Sequence, residues 1–181
     1  MGYKDIPLKN ILTEYKELNS ASLYRPVAVG KYGIRARESI YKKELAKDYS
    51  KNKVIKNNTL TIGMGSKQID IGILTEDVNY SVSPAYHTFI IKNINSNYLR
   101  YCLAYRNHDM SERFLVASAR QGKTIDFGRW LEYKIPVYDE CQQEKIVAEL
   151  DMISNEICRF NSVLVNLDCL IKSRFILQEA S

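Results

Sequence analysis

With 181 residues, the chain can form one ordinary domain and a modest additional element, but hardly two domains. Its composition of 45% hydrophobic and 26% charged residues excludes wholesale disorder. The sequence lacks both the apolar core of a signal peptide and an apolar run near the roughly 18 residues of a membrane span, so we expect a cytoplasmic protein. Residues 1–60 hold 13 Lys or Arg against 6 Asp or Glu, whereas residues 136–181 hold 4 against 8, which indicates a front segment that faces a polyanion.

The first two thirds of the chain predict a mixture of strands and helices. β-Branched residues alternate or cluster in residues 53–63, 69–74 and 87–92, which predicts at least three strands. Residues 24–49 are rich in Lys, Arg and Tyr and show no periodicity that would place an element.

Two short helices are expected after these strands. Residues 95–106 have helical spacing, with one face formed by Leu99, Cys102 and Tyr105. Ser111 has the side chain of a helix cap, and it predicts a second helix that ends near Ala119. The fold class expected for this part of the chain is therefore α+β.

The tail predicts one long helix with a coiled-coil seam. Asp139 is a suitable N-cap, and the helix can run without Pro or Gly from about Glu140 to about Gln178, about 58 Å at 1.5 Å per residue. Apolar residues recur at alternating spacings of four and three, a period that favours pairing with another helix. These seam residues are Ile146, Leu150, Ile153, Ile157, Phe160, Leu164, Leu167 and Ile171.

Motifs of enzymes and metal sites are weak in this sequence. The four cysteines form no Cys-x-x-Cys pair and the two histidines are far apart, so we predict no metal site. Asp126 with Glu132 and Lys134 resembles the set that a magnesium-dependent nuclease needs. Asp5 with Glu14 and Lys16 matches it equally well, so we predict no catalytic residue and keep a small nuclease only as an alternative.

Basic and aromatic residues interleave in a way that suits a DNA surface. Lys and Arg neutralise phosphates, and a few Arg, Gln or Asn side chains can read base edges. On charge alone, an ordinary solvated surface explains the same pattern equally well. The candidate DNA contacts are a basic-aromatic segment, a polar turn and a loop: Lys31, Tyr32, Arg35, Arg37, Ser66, Lys67, Gln68, Arg120, Gln121 and Lys123.

Several short motifs, taken in order, resemble the specificity subunits of type I restriction-modification enzymes. Ser83-Pro84-Ala85-Tyr86 is similar to a Ser-Pro-x-Tyr run of their target-recognition domains, and residues 121–127 resemble the run before their conserved helix. That helix opens in the family with Pro and then Glu-Gln-x-x-Ile-Val. Here Pro136, Gln142, Gln143, Ile146 and Val147 are similar, although Cys141 and Gln142 stand where Glu and Gln are commoner.

The resemblance implies half of such a subunit, because family members normally carry two domain-and-helix units. Residues 1–137 would be a target-recognition domain that binds double-stranded DNA, and residues 138–181 a helix that pairs with a second copy. We expect no catalysis and no cofactor in this chain. In the family, S-adenosylmethionine, ATP and magnesium serve the modification and restriction subunits, which would be its partners. A coiled-coil adaptor that binds only protein remains the other alternative.

Overall fold

A computed structural model describes residues 2–37, 48–63, 65, 67–117 and 123–179, with side chains through residue 173. The chain divides into two compact units, Met1–Gln143 and Glu144–Ser181. The described part mixes strands and helices and ends in a long helix, which confirms the predicted α+β class.

Short antiparallel strands make up most of the first unit. Within the described ranges there are twelve: β1 (Lys4–Pro7), β2 (Leu12–Glu14), β3 (Val27–Gly30), β4 (Gly33–Ala36), β5 (Lys53–Ile55), β6 (Thr59–Ile62), β7 (Ile71–Leu74), β8 (Tyr80–Val82), β9 (His87–Ile91), β10 (Leu115–Ala117), β11 (Lys123–Ile125) and β12 (Lys134–Val137). Four of them form the central sheet in the order β2-β9-β6-β7, and the others pair as β1-β12, β3-β4, β5-β8 and β10-β11.

The described residues also form three α-helices, α1 (Ser96–Phe114), α2 (Phe127–Leu131) and α3 (Glu140–Glu179). The main core lies between the central sheet, α1 and α2. Leu60 and Phe89, partners across β6 and β9, are buried with Leu103 of α1 and Trp130 of α2. All four residues of β6 are buried, because both faces of this central strand are covered.

A second, smaller core holds the hairpins together. Val29 of β3, Ile55 of β5, Leu74 of β7 and Val82 of β8 are buried against one another, and Ile34 of β4 packs on them. The β3-β4 hairpin is thereby attached to the β7 edge of the central sheet.

The strand predictions are confirmed with finer boundaries. Residues 53–63 form two strands, β5 and β6, separated by a turn in which Asn58 has a left-handed backbone with φ +60°. β7 and β9 lie within the predicted ranges 69–74 and 87–92.

The prediction of two short helices was wrong. α1 is one helix that continues through Ser111 to Phe114 and is followed by the strand β10. The Ser111 hydroxyl caps no new helix, because it accepts a hydrogen bond from the backbone N–H of Ile69. Tyr105 was also assigned to the wrong face, since it is 83% exposed while Leu99 and Leu103 enter the core. Ala119 lies outside the described residues.

Candidate nucleic-acid interface

The β3-β4 hairpin presents two candidate residues at its tip. Gly30 pairs with Gly33, so Lys31 and Tyr32 form the connecting turn. Gly33 has φ +82°, the left-handed conformation that favours glycine after such a turn. Tyr32 is 70% exposed, and both the Lys31 ammonium and the Arg35 guanidinium lie over its ring, at 5.3 and 5.1 Å from the centroid. The tip thus combines two cations with an exposed aromatic face.

Close packing fixes this hairpin against the central sheet. A Cβ atom added to Gly72 of β7 would lie 2.6 Å from Cγ1 of Ile34 and 3.1 Å from Cγ1 of Val29. A Cβ contact of 2.6 Å essentially does not occur in proteins, so the hairpin can lie this close only over a glycine. The position of Lys31 and Tyr32 therefore depends on a residue far away in sequence.

Two side chains of α1 hold the segment that carries Lys67 and Gln68. Ile69 N–H donates to Oγ of Ser111 at 3.0 Å, and Nδ2 of Asn107 donates to the Ile69 carbonyl at 2.9 Å. Ser111 Oγ in turn donates to Oδ1 of Asn107 at 2.9 Å. Because Ile69 is fully buried, an unsatisfied peptide group there would be costly, and these bonds keep the segment on α1.

These elements enclose one large groove of about 1050 Å³. Its described lining comes from the β3-β4 hairpin, the segment 67–68, β7, the outer face of α1 and the start of β11. Six Lys or Arg residues and two Glu residues contribute to it, so the lining is strongly basic. The residues are Arg25, Lys31, Arg35, Lys67, Arg100 and Lys123 against Glu76 and Glu112.

Six of the ten predicted DNA contacts line this groove although they come from distant parts of the sequence. They are Lys31, Tyr32, Arg35, Lys67, Gln68 and Lys123. Arg37 is not among the lining residues, and its guanidinium lies 5.6 Å from the ring centroid of Tyr49. Ser66, Arg120 and Gln121 lie outside the described residues.

The contribution of α1 to the groove was not predicted from the sequence. Arg100, Ala104, Asn107 and His108 line it from the helix, and Arg25 lines it ahead of β3. Their spacing of four, three and one places the helix residues on one side of α1. The polar, small and basic side chains at this spacing could have indicated a second face of α1, beside the core face.

Burial disfavours the charged forms of two titratable groups in the first unit. Burial raises the pKa of the Asp70 carboxyl, which follows Ile69 in the chain, and so disfavours its negative form. Burial, followed by repulsion from Lys53, lowers the pKa of His87, which disfavours its positive form. The exposed His108 and Glu112 are 3.7 Å apart, a pairing that contributes little in water.

The carboxylates of the nuclease alternative have structural partners. Oδ1 of Asp126 accepts from the backbone N–H of Arg129 and caps α2, while Oε1 of Glu132 lies 2.7 Å from Nζ of Lys9. Among the residues that the structure describes, no three His, Cys, Asp or Glu side chains are grouped to hold a metal ion. Nothing in this arrangement favours the nuclease alternative.

The start of α3 is fixed by side chains of the first unit. Oδ1 of Asp139 accepts from the backbone N–H of Gln142 at 2.9 Å, which confirms the predicted N-cap. Gln143 is buried, and its Oε1 accepts from the N–H of Asn95, the residue that caps α1. Its Nε2 donates to the carbonyl of Tyr138 at 2.7 Å. One side chain therefore connects the beginnings of two helices.

The second unit is the remainder of α3, and its apolar seam is largely uncovered. α3 contains 40 residues, about 60 Å at 1.5 Å per residue, close to the predicted length. Ile146 and Leu150 are half-buried, whereas Phe160 and Leu164 are 63% and 60% exposed. The other exposed seam residues are Ile153, Ile157, Leu167 and Ile171. Of the helices in the described ranges, none is both long and apolar enough to cross a membrane.

Comparison with known protein families identifies the fold and the family together. The model of the type I restriction modification DNA specificity domain matches residues 10–162, most of the chain. The chain therefore belongs to this family, as its motifs predicted. No curated protein matches the sequence.

Solved structures show the same fold at low sequence identity. One is a chain from a study of complex assembly and conformational transition of the type I R-M system, with 15% identity and a TM-score of 0.57 over 88% of this chain. Another is the HsdS subunit from Thermoanaerobacter tengcongensis, with 13% identity and a TM-score of 0.52 over 87% of this chain. The matches cover 40% and 38% of those chains, so this chain spans about two fifths of their length.

Proposed function

We propose that this chain is a sequence-specific DNA recognition subunit of a type I restriction-modification system and that it has no catalytic role of its own. The observation that carries the proposal is the basic groove, which collects Lys31, Arg35, Lys67 and Lys123 from three separate segments of the fold. A concave surface with six Lys or Arg and two Glu side chains matches the phosphate backbone of duplex DNA.

Recognition would combine two kinds of contact in the major groove. The Lys and Arg side chains would bind phosphates and fix the position of the domain, while polar side chains of the groove would read base edges. The exposed ring of Tyr32, with cations on it, suits contact with the sugar-phosphate backbone at the rim of the groove. Arg37 and the residues outside the described ranges remain candidates of the same kind.

The seam of α3 supports dimerisation as the second part of the proposal. A helix with an uncovered apolar stripe at coiled-coil spacing gains free energy by pairing with another helix. Two copies joined in antiparallel fashion would present two identical readers related by a twofold axis. Such a dimer would read a split, palindromic site with a spacer set by the helices.

The dimer would position the catalytic subunits of the system. Modification subunits that use S-adenosylmethionine, and restriction subunits that use ATP and magnesium, are the proposed partners. The groove and the seam are separate surfaces of the chain, so DNA binding and assembly can be altered independently.

The test is selection from a randomised duplex library by the chain together with its candidate modification subunit at fixed salt. Enrichment of a split palindrome supports both parts of the proposal. Retention that is lost when Lys31 and Arg35, which both line the groove, are changed to Glu supports the groove as the binding surface. If no duplex is retained at any salt concentration, DNA recognition is refuted, and the exposed seam then favours the protein-binding adaptor.

A further inference from the structure

Gln68 presents an amide side chain to the groove from a firmly held backbone. Gln68 lines the groove and directly precedes Ile69, whose N–H and carbonyl are bound by Ser111 and Asn107 of α1. Ile69 is itself fully buried in the main core. The backbone from which the Gln68 side chain projects is therefore ordered before any ligand arrives.

The amide of Gln68 is available for recognition, in contrast to the other amide of the described lining. Nδ2 of Asn107 is committed to the Ile69 carbonyl and its Oδ1 to the Ser111 hydroxyl. Among the residues that the structure describes, none forms a hydrogen bond with the Gln68 amide, although Gln68 is half-buried. A half-buried amide without partners gains most from a ligand that satisfies both its donor and its acceptor.

A primary amide is complementary to one base edge of the major groove. It offers a donor and an acceptor side by side in one plane, whereas the Tyr and Thr hydroxyls of the lining do not. Adenine presents its N7 acceptor and its N6 amino donor in the matching arrangement, and Asn or Gln binds both at once. The neighbouring Lys67 is suited instead to phosphate, because its ammonium is a point charge without an acceptor.

We propose that Gln68 determines specificity by reading an adenine in the major groove, and that the Asn107–Ser111 clamp on Ile69 holds it in place for this task. The inference rests on the proposed DNA recognition function and adds the base that one residue selects. A wrong base at this position leaves the Gln68 amide unpaired, so discrimination against it should be about 5- to 150-fold.

The experiment repeats the library selection with the wild type, Gln68→Ala, Gln68→Glu and the matched control Lys67→Gln, each with the modification subunit. In Gln68→Ala, one A·T position of each half-site should become degenerate while the rest of the motif and the salt dependence stay unchanged. In Gln68→Glu, cytosine should be preferred at that position, since a carboxylate accepts from its N4 amino group. Lys67→Gln should keep the motif and weaken binding to all sequences alike.

The outcomes separate this inference from the function on which it rests. A wild-type selection that yields no motif refutes the proposed function and this inference with it. A wild-type motif that Gln68→Ala leaves intact refutes the inference alone. The inference is equally refuted if Gln68→Ala behaves like Lys67→Gln and weakens all sequences uniformly. Thermal unfolding of each variant checks that the fold is retained, as expected for a side chain that forms no hydrogen bond with the described part of the chain.

Discussion

The salt dependence of DNA binding tests the groove quantitatively. Six Lys or Arg side chains line it. If each side chain neutralises one phosphate and thereby releases about 0.9 counterion, a plot of the logarithm of the association constant against the logarithm of the salt concentration has a slope of about −5.4. A rise from roughly 50 to 200 mM salt would then weaken binding about 1,800-fold.

The decisive variant removes four of these charges. Its substitutions are Lys31→Gln, Arg35→Gln, Lys67→Gln and Lys123→Gln. The remaining two cations give a slope of about −1.8, so the same rise in salt should weaken binding only about 12-fold. None of the four side chains forms an ion pair in the described structure, so the midpoint of thermal unfolding should change little.

A control variant with the same change in net charge isolates the effect of position. It neutralises four exposed lysines that do not line the groove: Lys4, Lys51, Lys92 and Lys134. Binding is measured by fluorescence anisotropy of a labelled duplex across the salt series. The reasoning is refuted if the control lowers the slope as much as the groove variant does, because binding would then follow net charge and not the groove.

Three further predictions concern the clamp, the hairpin and the seam. Ser111→Ala leaves the buried N–H of Ile69 without its acceptor, so denaturant unfolding should show a loss of about 1–3 kcal/mol; an unchanged midpoint would mean that the clamp contributes nothing. Gly72→Ala forces the hairpin away from β7 and should lower the free energy of unfolding by about 1–3 kcal/mol in the same denaturant assay. Gly30→Ala, where a Cβ meets open space, should lower it much less. Equal losses of stability in the two variants would contradict the packing argument. Leu164→Asp should halve the mass of the chain measured by analytical ultracentrifugation, whereas the neighbouring Asn166→Asp should leave this mass unchanged. A wild type that is already monomeric would rule out the proposed homodimer.

The long helix was predictable because its signals are local. The apolar spacing that defines the seam, the Asp139 cap and the absence of Pro and Gly all lie within one continuous stretch. Each residue of α3 bonds to residues a turn away, so the sequence neighbours contain the required information. The strands β7 and β9 were found for the same reason, since their β-branched residues alternate or cluster over short runs.

The groove was only partly predictable because its geometry depends on long-range contacts. Residue type identified Lys31, Lys67 and Lys123 as candidates, but nothing local indicates that they share one surface. Ser111 shows the difficulty most clearly: its side chain favours helix caps, yet its partner is the Ile69 N–H, 42 positions earlier in the chain. Pairing of β1 with β12, which joins Ile6 to Ile135, likewise has no local signal.

The two kinds of DNA contact proposed for the groove have different structural requirements. Attraction to phosphates needs little directionality, so long cationic side chains at a hairpin tip, such as Lys31, can provide it from an exposed position. Reading a base edge requires a donor and an acceptor at fixed positions, and the segment with Gln68 is the one that α1 holds by two hydrogen bonds. A change of target base should therefore require substitutions in the clamped segment, while the surrounding cations can stay the same.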